Sequence, residues 1–174
     1  MLGLLRYSFP KNILRMIYMS LVFSHINYCN LIWGSANKTN LEPLFKLQKK
    51  AVRLVNNSQY LDHTDPIFYS LKILTIHKVF QLNCLIFIHK CLKKGKFPDF
   101  KNRFKKSECY TYRARINHLY RIPPERLDIC RNSYFAQGLT LWNSLDDRVK
   151  LTNNLDTFKN KIKFLLLENK LSNV

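Results

Sequence analysis

Glycine is scarce in this chain, at only 4 of 174 residues, about a third of the usual ~7%. Tight hairpins and phosphate-cradling loops lean on glycine, so this shortage argues against both and favours helices. Neither G-x-x-x-x-G-K-[S/T] nor G-x-G-x-x-G occurs, and nucleotide binding therefore has no local signal.

Acidic residues are the second shortage. The 11 Asp+Glu stand against 29 Lys+Arg, a formal net charge of +18 with a sequence pI near 9.9. A domain this basic repels itself unless a polyanion or an acidic partner relieves the field. Before Glu42 there is no acid at all, although Arg6, Lys11, Arg15 and Lys38 are present. That pattern loosely resembles an import presequence, but the aromatic and apolar residues of the segment read instead as buried helix.

Long hydrophobic runs are missing too. No stretch approaches the ~18 to 20 apolar residues of a spanning helix, and Leu2 to Leu5, stopped by Arg6, is too short for a secretory signal. An intracellular protein of the cytoplasm or nucleus, not secreted and without a membrane partner, is expected. Five cysteines (Cys29, Cys84, Cys91, Cys109, Cys130) then read as reduced, buried thiols.

Catalytic constellations are likewise absent. No two cysteines have the C-x2-C spacing that aims paired thiolates at one zinc ion. His89 and Cys91 are two apart on a predicted helix and point in different directions. His25, His77 and His89 lie in apolar helices and read as partly buried, hydrogen-bonded histidines, with no Ser or Cys motif beside them. Ser144-Leu145-Asp146-Asp147 superficially resembles the paired aspartates that hold two metal ions in polymerases. It follows Trp142-Asn143 on a predicted helix and lacks flanking strand residues, so a solvated loop pair is the better reading. No metal, cofactor or catalytic residue is expected, and the chain is not expected to be an enzyme by itself.

What is present is helical periodicity. Hydrophobic residues make up 47% of the chain, enough for a real core. Lys11 to about Cys29, after Pro10, is apolar nearly all round and predicts a core helix, with Asn30 to Lys38 as its exit loop. Thr39 and Glu42 form a capping-box signature for a helix over 39–57, with Pro43 in its first turn. Leu41, Leu44, Phe45, Leu47, Ala51, Val52, Leu54 and Val55 fall on one half of that wheel. Lys46, Lys49, Lys50 and Arg53 fall on the other. A short helix over Pro66 to Leu71 follows. Thr75 offers an N-cap for a core helix from Ile76 to Lys94, closed by Gly95. Asn132 to Leu145 predicts a helix with Trp142 on its apolar side. Asp146 to Asn153 is a loop, and Asn153 or Asn154 caps a last amphipathic helix with Leu155, Phe158, Ile162, Leu165 and Leu166 on one face.

Between these helices, Lys93 to Arg131 holds twelve Lys/Arg against four Asp/Glu, interleaved with aromatics. Short extended pieces are expected around Tyr110 to Ile122, ended by Pro123 and Pro124. The fold class is mostly α, with helical bundle-like lobes and a basic, irregular or short-β segment around residues 107–131.

Two basic surfaces suit a phosphate backbone. One is the helix face of Lys46, Lys49, Lys50 and Arg53. The other draws on Lys101, Arg103, Lys105, Lys106, Arg113, Arg115 and Arg121, with Tyr110, Tyr112 and Tyr120 as stacking faces for unpaired bases.

Several phrases also follow one another in a telling order. They are Ile17-Tyr18-Met19-Ser20-Leu21-Val22 through Ser24-His25-Ile26-Asn27-Tyr28 to Ile32-Trp33-Gly34, then Leu44-Phe45-Lys46-Leu47-Gln48-Lys49-Lys50-Ala51-Val52-Arg53-Leu54. Pro66-Ile67-Phe68, Leu71-Lys72-Ile73-Leu74 and Phe97-Pro98 with Phe100 come next. Gly138-Leu139-Thr140-Leu141-Trp142-Asn143-Ser144-Leu145 then precedes Phe158-Lys159. Together the set resembles the C-terminal region of non-LTR (LINE-type, jockey-like) retrotransposon reverse transcriptases. It departs from that pattern at Asp146, where a proline commonly follows W-N-x-L, and no cysteine-rich knuckle follows Phe158.

The resemblance implies a thumb-like helical region over 1–95, then a basic-aromatic segment with C-terminal helices over 96–174, as two lobes or one continuous domain. It implies a grip on template RNA, RNA–DNA hybrid or single-stranded DNA, and an upstream palm that carries the family's Tyr/Phe-x-Asp-Asp motif. Met1 is expected to begin after that palm, and after the endonuclease. Two alternatives stay open: an independent helical adaptor for an acidic protein partner, and a genomic relic without function.

Overall fold

The computed structural model of the chain describes residues 2–94, 104, 120–122 and 126–169. Helices dominate, and no strand occurs among the described residues. Two compact units are present, Met1–Phe80 and Gln81–Val174. The change of composition at residues 95–96, where the sequence suggests a boundary, lies outside the described residues.

The first unit begins with α1 (Leu2–Leu5) and α2 (Lys11–Ile17). The expected single core helix over 11–29 is not continuous. After α2 the backbone widens into a π-helical stretch, Tyr18–Phe23, and returns to α geometry in α3 (Ser24–Asn27). It then breaks at Cys29, in the left-handed region at φ 47°, before α4 (Asn30–Trp33).

The π stretch has a packing reason. Eight residues of regular α-helix would carry Ile26 about 80° around the axis from Tyr18. A stretch closed by i→i+5 bonds winds less per residue. It turns Ile26 closer to the side of Tyr18, and Leu14, Tyr18 and Ile26 are all buried. The segment is not buried all round, however. Met16 is 68% exposed and Leu21 44%, because one helix in so small a unit has neighbours on one side only.

The central helix is α5 (Lys38–Asn56). Its N-cap position is Asn37, two residues before the Thr39 of the expected capping box, and no side-chain cap bond forms. Its buried residues are Leu41, Gln48, Val52 and Val55, a stripe at spacings of 7, 4 and 3. The short α6 (Asp65–Ser70) packs Ile67 and Phe68 into the same cluster as Leu14, Tyr18, Val52 and Val55. Gly34, just past α4, is needed for close approach. A Cβ there would collide with the Asn30 carbonyl and sit 2.6 Å from Cδ2 of Phe80.

Helix α7 (Ile76–Lys94) agrees with its expected start: the Thr75 hydroxyl accepts from the backbone N–H of Lys78 at 3.5 Å. Its second half belongs to the second unit. The other helices of that unit are α8 (Asp128–Arg131), α9 (Tyr134–Ser144), α10 (Asp147–Lys150) and α11 (Leu155–Leu167). The Ser133 side chain caps α9 and that of Asn154 caps α11, each by accepting a backbone N–H. The expected loop over 146–153 contains one helical turn, α10. Of the segment around 107–131, only 120–122 and 126–131 are described. Tyr120 there holds an isolated bridge position and Asp128–Arg131 is helical.

Buried His89 is the polar centre of this second core. Its ring stacks on Phe158 at 4.3 Å, and its Nε2–H donates to the Thr152 carbonyl at 2.8 Å. That bond ties the turn after α10 to α7. Close packing of α9 on α7 depends on Gly138, where a Cβ would stand 3.1 Å from Cγ1 of Ile88.

Candidate nucleic-acid interface

The sequence places four cations on one face of α5, and the structure gives them unequal roles. Opposite them, the buried stripe is locked by Gln48. Its Nε2–H donates to the Tyr18 hydroxyl and to the Leu74 carbonyl, both at 3.0 Å, and its Oε1 accepts from the Ile76 N–H at 2.9 Å. These three bonds join the π stretch, α5 and the start of α7. They set the rotation of α5 about its axis, and so which residues face outward.

Facing out, Lys46 and Lys50 are exposed. Neither is in an ion pair with a carboxylate among the described residues. Lys49 and Arg53 are half-buried and engaged. The Lys49 ammonium sits 4.1 Å above the Phe45 ring, a cation–π contact one turn along the same helix. Arg53 Nε donates to the Asp62 carbonyl at 2.9 Å, and its guanidinium lies over Tyr60 at 5.9 Å. Arg53 thus holds the loop after α5 and still presents part of its charge. The charges of Glu42, Lys38 and Lys49 act on His77. Burial is the main cause that lowers the pKa of His77, with the Glu42 charge opposing and the lysines assisting.

In the second unit, Tyr120 is half-buried. Its backbone pairs with the side chain of Asn143, N–H to Oδ1 at 3.0 Å and carbonyl from Nδ2 at 2.8 Å. Its ring meets Phe104 edge-on at 5.8 Å, and burial raises its hydroxyl pKa. Arg121 beside it is exposed. A cavity of about 400 Å³ runs past Leu92, Lys93, Tyr120, Trp142, Asp147 and Lys150. Tyr120, Lys93 and Lys150 thus line one cavity, and the Lys150 ammonium is paired with Asp147. Lys101, Arg103, Lys105, Lys106, Arg113, Arg115, Tyr110 and Tyr112 lie outside the described residues.

Other expected chemistry is corrected or placed. His25 is exposed rather than partly buried, although Ile26 next to it is buried. Cys29 is also exposed, whereas Cys84 and Cys91 are buried. Burial pushes the Cys84 thiol far up, so it is inert as a nucleophile. Asp146 and Asp147 are exposed at the start of α10, and Asp147 pairs with Lys150 at 3.3 Å. Among the described residues no cluster of His, Cys, Asp and Glu is arranged to hold a metal ion, and no helix is long and apolar enough to cross a membrane.

Gln48 is the residue that wheel reasoning missed, since amides are not counted as apolar. A signal was available: it stands at the centre of the arc made by Leu41, Val52 and Val55. No family model, curated protein or solved structure matches this chain.

Proposed function

We propose that this chain is a thumb-like, C-terminal part of a reverse transcriptase of the non-LTR retrotransposon type. In this reading it binds template RNA or an RNA–DNA hybrid through the outer face of α5, and a palm elsewhere supplies the polymerase active site. The ordered phrases from Ile17 to Lys159 support the family. The observation that carries the binding role is the pairing of Lys46 and Lys50, exposed and without carboxylate partners among the described residues, with an inner face fixed by Gln48.

Fixed rotation matters because phosphate contacts position a protein only when the cations are presented together. Lys46 to Arg53 spans seven residues, about 10 Å of helix rise, so the row follows a short length of strand. Arg121 and the ring of Tyr120 belong to the second unit and would add contacts of their own.

Salt titration tests the reading. Affinity for single-stranded RNA or RNA–DNA hybrid should fall with salt, by roughly 0.7 to 0.9 log units per phosphate contact for each tenfold rise. Binding that is independent of salt, or absent at low salt, overturns it.

A further inference from the structure

The first unit carries a second, apolar surface beside the cationic row. A groove of about 360 Å³ opens between the π stretch with α3 and the flank of α5. Leu21, Val22 and Ile26 form one wall, and Leu44, Leu47 and Ala51 the other. Leu47 is 63% exposed and Leu21 44%, so two large aliphatic side chains face water across it. The wall of Leu21 and Val22 is the π-helical stretch itself, a backbone departure often found at functional sites.

We infer that this groove docks an acidic amphipathic helix of a partner protein. Length supports a helix: Leu44 to Ala51 is two turns, about 10 Å, which matches apolar anchors at i, i+3 or i+4, and i+7. Charge supports an acidic one. Residues 1–80 hold ten Lys/Arg and only three Asp/Glu, and none of the three acids lines the groove. Glu42 lies on the outer side of α5, at least ~140° round the helix from Leu44 and Leu47, Asp62 accepts from the Gln59 N–H in the loop after α5, and Asp65 begins α6. His25 lines the groove, and Lys50 stands one turn from Leu47 along its wall.

Rival occupants fit less well. A second copy would bring another chain of net charge +18 against the first. Unpaired bases stack on aromatic rings, and none of the lining residues is Phe, Tyr or Trp.

The test uses the full chain and a fluorescent helical peptide with Leu at i, i+3, i+4 and i+7 and Glu at its outer positions. Two controls are a scrambled peptide of the same composition and a peptide with Lys in place of Glu. Anisotropy should report binding of the first peptide only. Leu47→Gln and, from the facing wall, Leu21→Gln should each weaken it about tenfold or more, with unchanged circular dichroism. Lys46→Gln should lower RNA affinity and leave peptide affinity within about twofold, so the two surfaces can fail separately. Equal binding of the scrambled or Lys peptide, unchanged affinity in both Leu variants, or concentration-dependent self-association lost in Leu47→Gln would each overturn the inference.

Discussion

Gln48 Nε2 lies 3.0 Å from the hydroxyl of Tyr18, and both side chains are sealed from solvent, at 1% and 0% exposure. An amide and a phenol thirty residues apart thereby join α5 to the π stretch. The same amide also satisfies the Leu74 carbonyl and the Ile76 N–H at the start of α7. Three buried polar groups depend on this one side chain.

Replacing it with an apolar residue of similar size leaves all three without a partner. Gln48→Leu should cost about 3 kcal/mol or more, since each unsatisfied buried group costs roughly 1 to 3. Tyr18→Phe removes one bond and should cost only about 1 kcal/mol. Urea denaturation followed by circular dichroism measures both. Equal stability of the two variants would show that the amide is not the hub.

The cations of α5 should separate by variant. Lys46→Gln combined with Lys50→Gln should reduce the salt slope of RNA binding by roughly 1.4 to 1.8, with an unchanged unfolding midpoint. Arg53→Gln should also lower stability, by about 1 kcal/mol, because it releases the Asp62 carbonyl as well. Parallel salt titrations and denaturation curves distinguish the two effects.

His77 links stability to pH. Its folded pKa is below the ordinary 6.5, chiefly through burial, so near and below that pH the unfolded chain binds more protons. The contribution is whole above pH 6.5 and is lost as pH falls from there through the folded pKa. His77→Gln should flatten that part of the stability–pH curve relative to the native chain. An identical slope in both proteins would count against it.

Thiol chemistry should follow burial. Cys29 should be modified by a maleimide in the native protein, while Cys84 and Cys91 should react only after denaturation. Peptide mapping before and after urea gives the answer. Rapid labelling of Cys84 in the native state would show that α7 opens locally.

Read as a one-dimensional pattern, the chain determined its helical class, the spans of α5, α6, α7, α9 and α11 to within a few residues, and the cationic face of α5. Those features are local. Apolar periodicity, Ser, Thr and Asn at helix starts, and like charges at helical spacing act through neighbours in sequence. Tertiary structure decided the rest. It interrupted 11–29, where a π stretch turns Ile26 closer to the buried side of Tyr18 than a regular helix would, and a left-handed Cys29 then breaks the run. It turned Gln48 from a polar interruption into the pin of α5, because only folding brings Tyr18, Leu74 and Ile76 around it. It also separated Arg53 from its neighbours on the cationic face, since Tyr60 and the Asp62 carbonyl reach it only once the loop after α5 has closed, whereas Lys49 meets Phe45 within α5 itself.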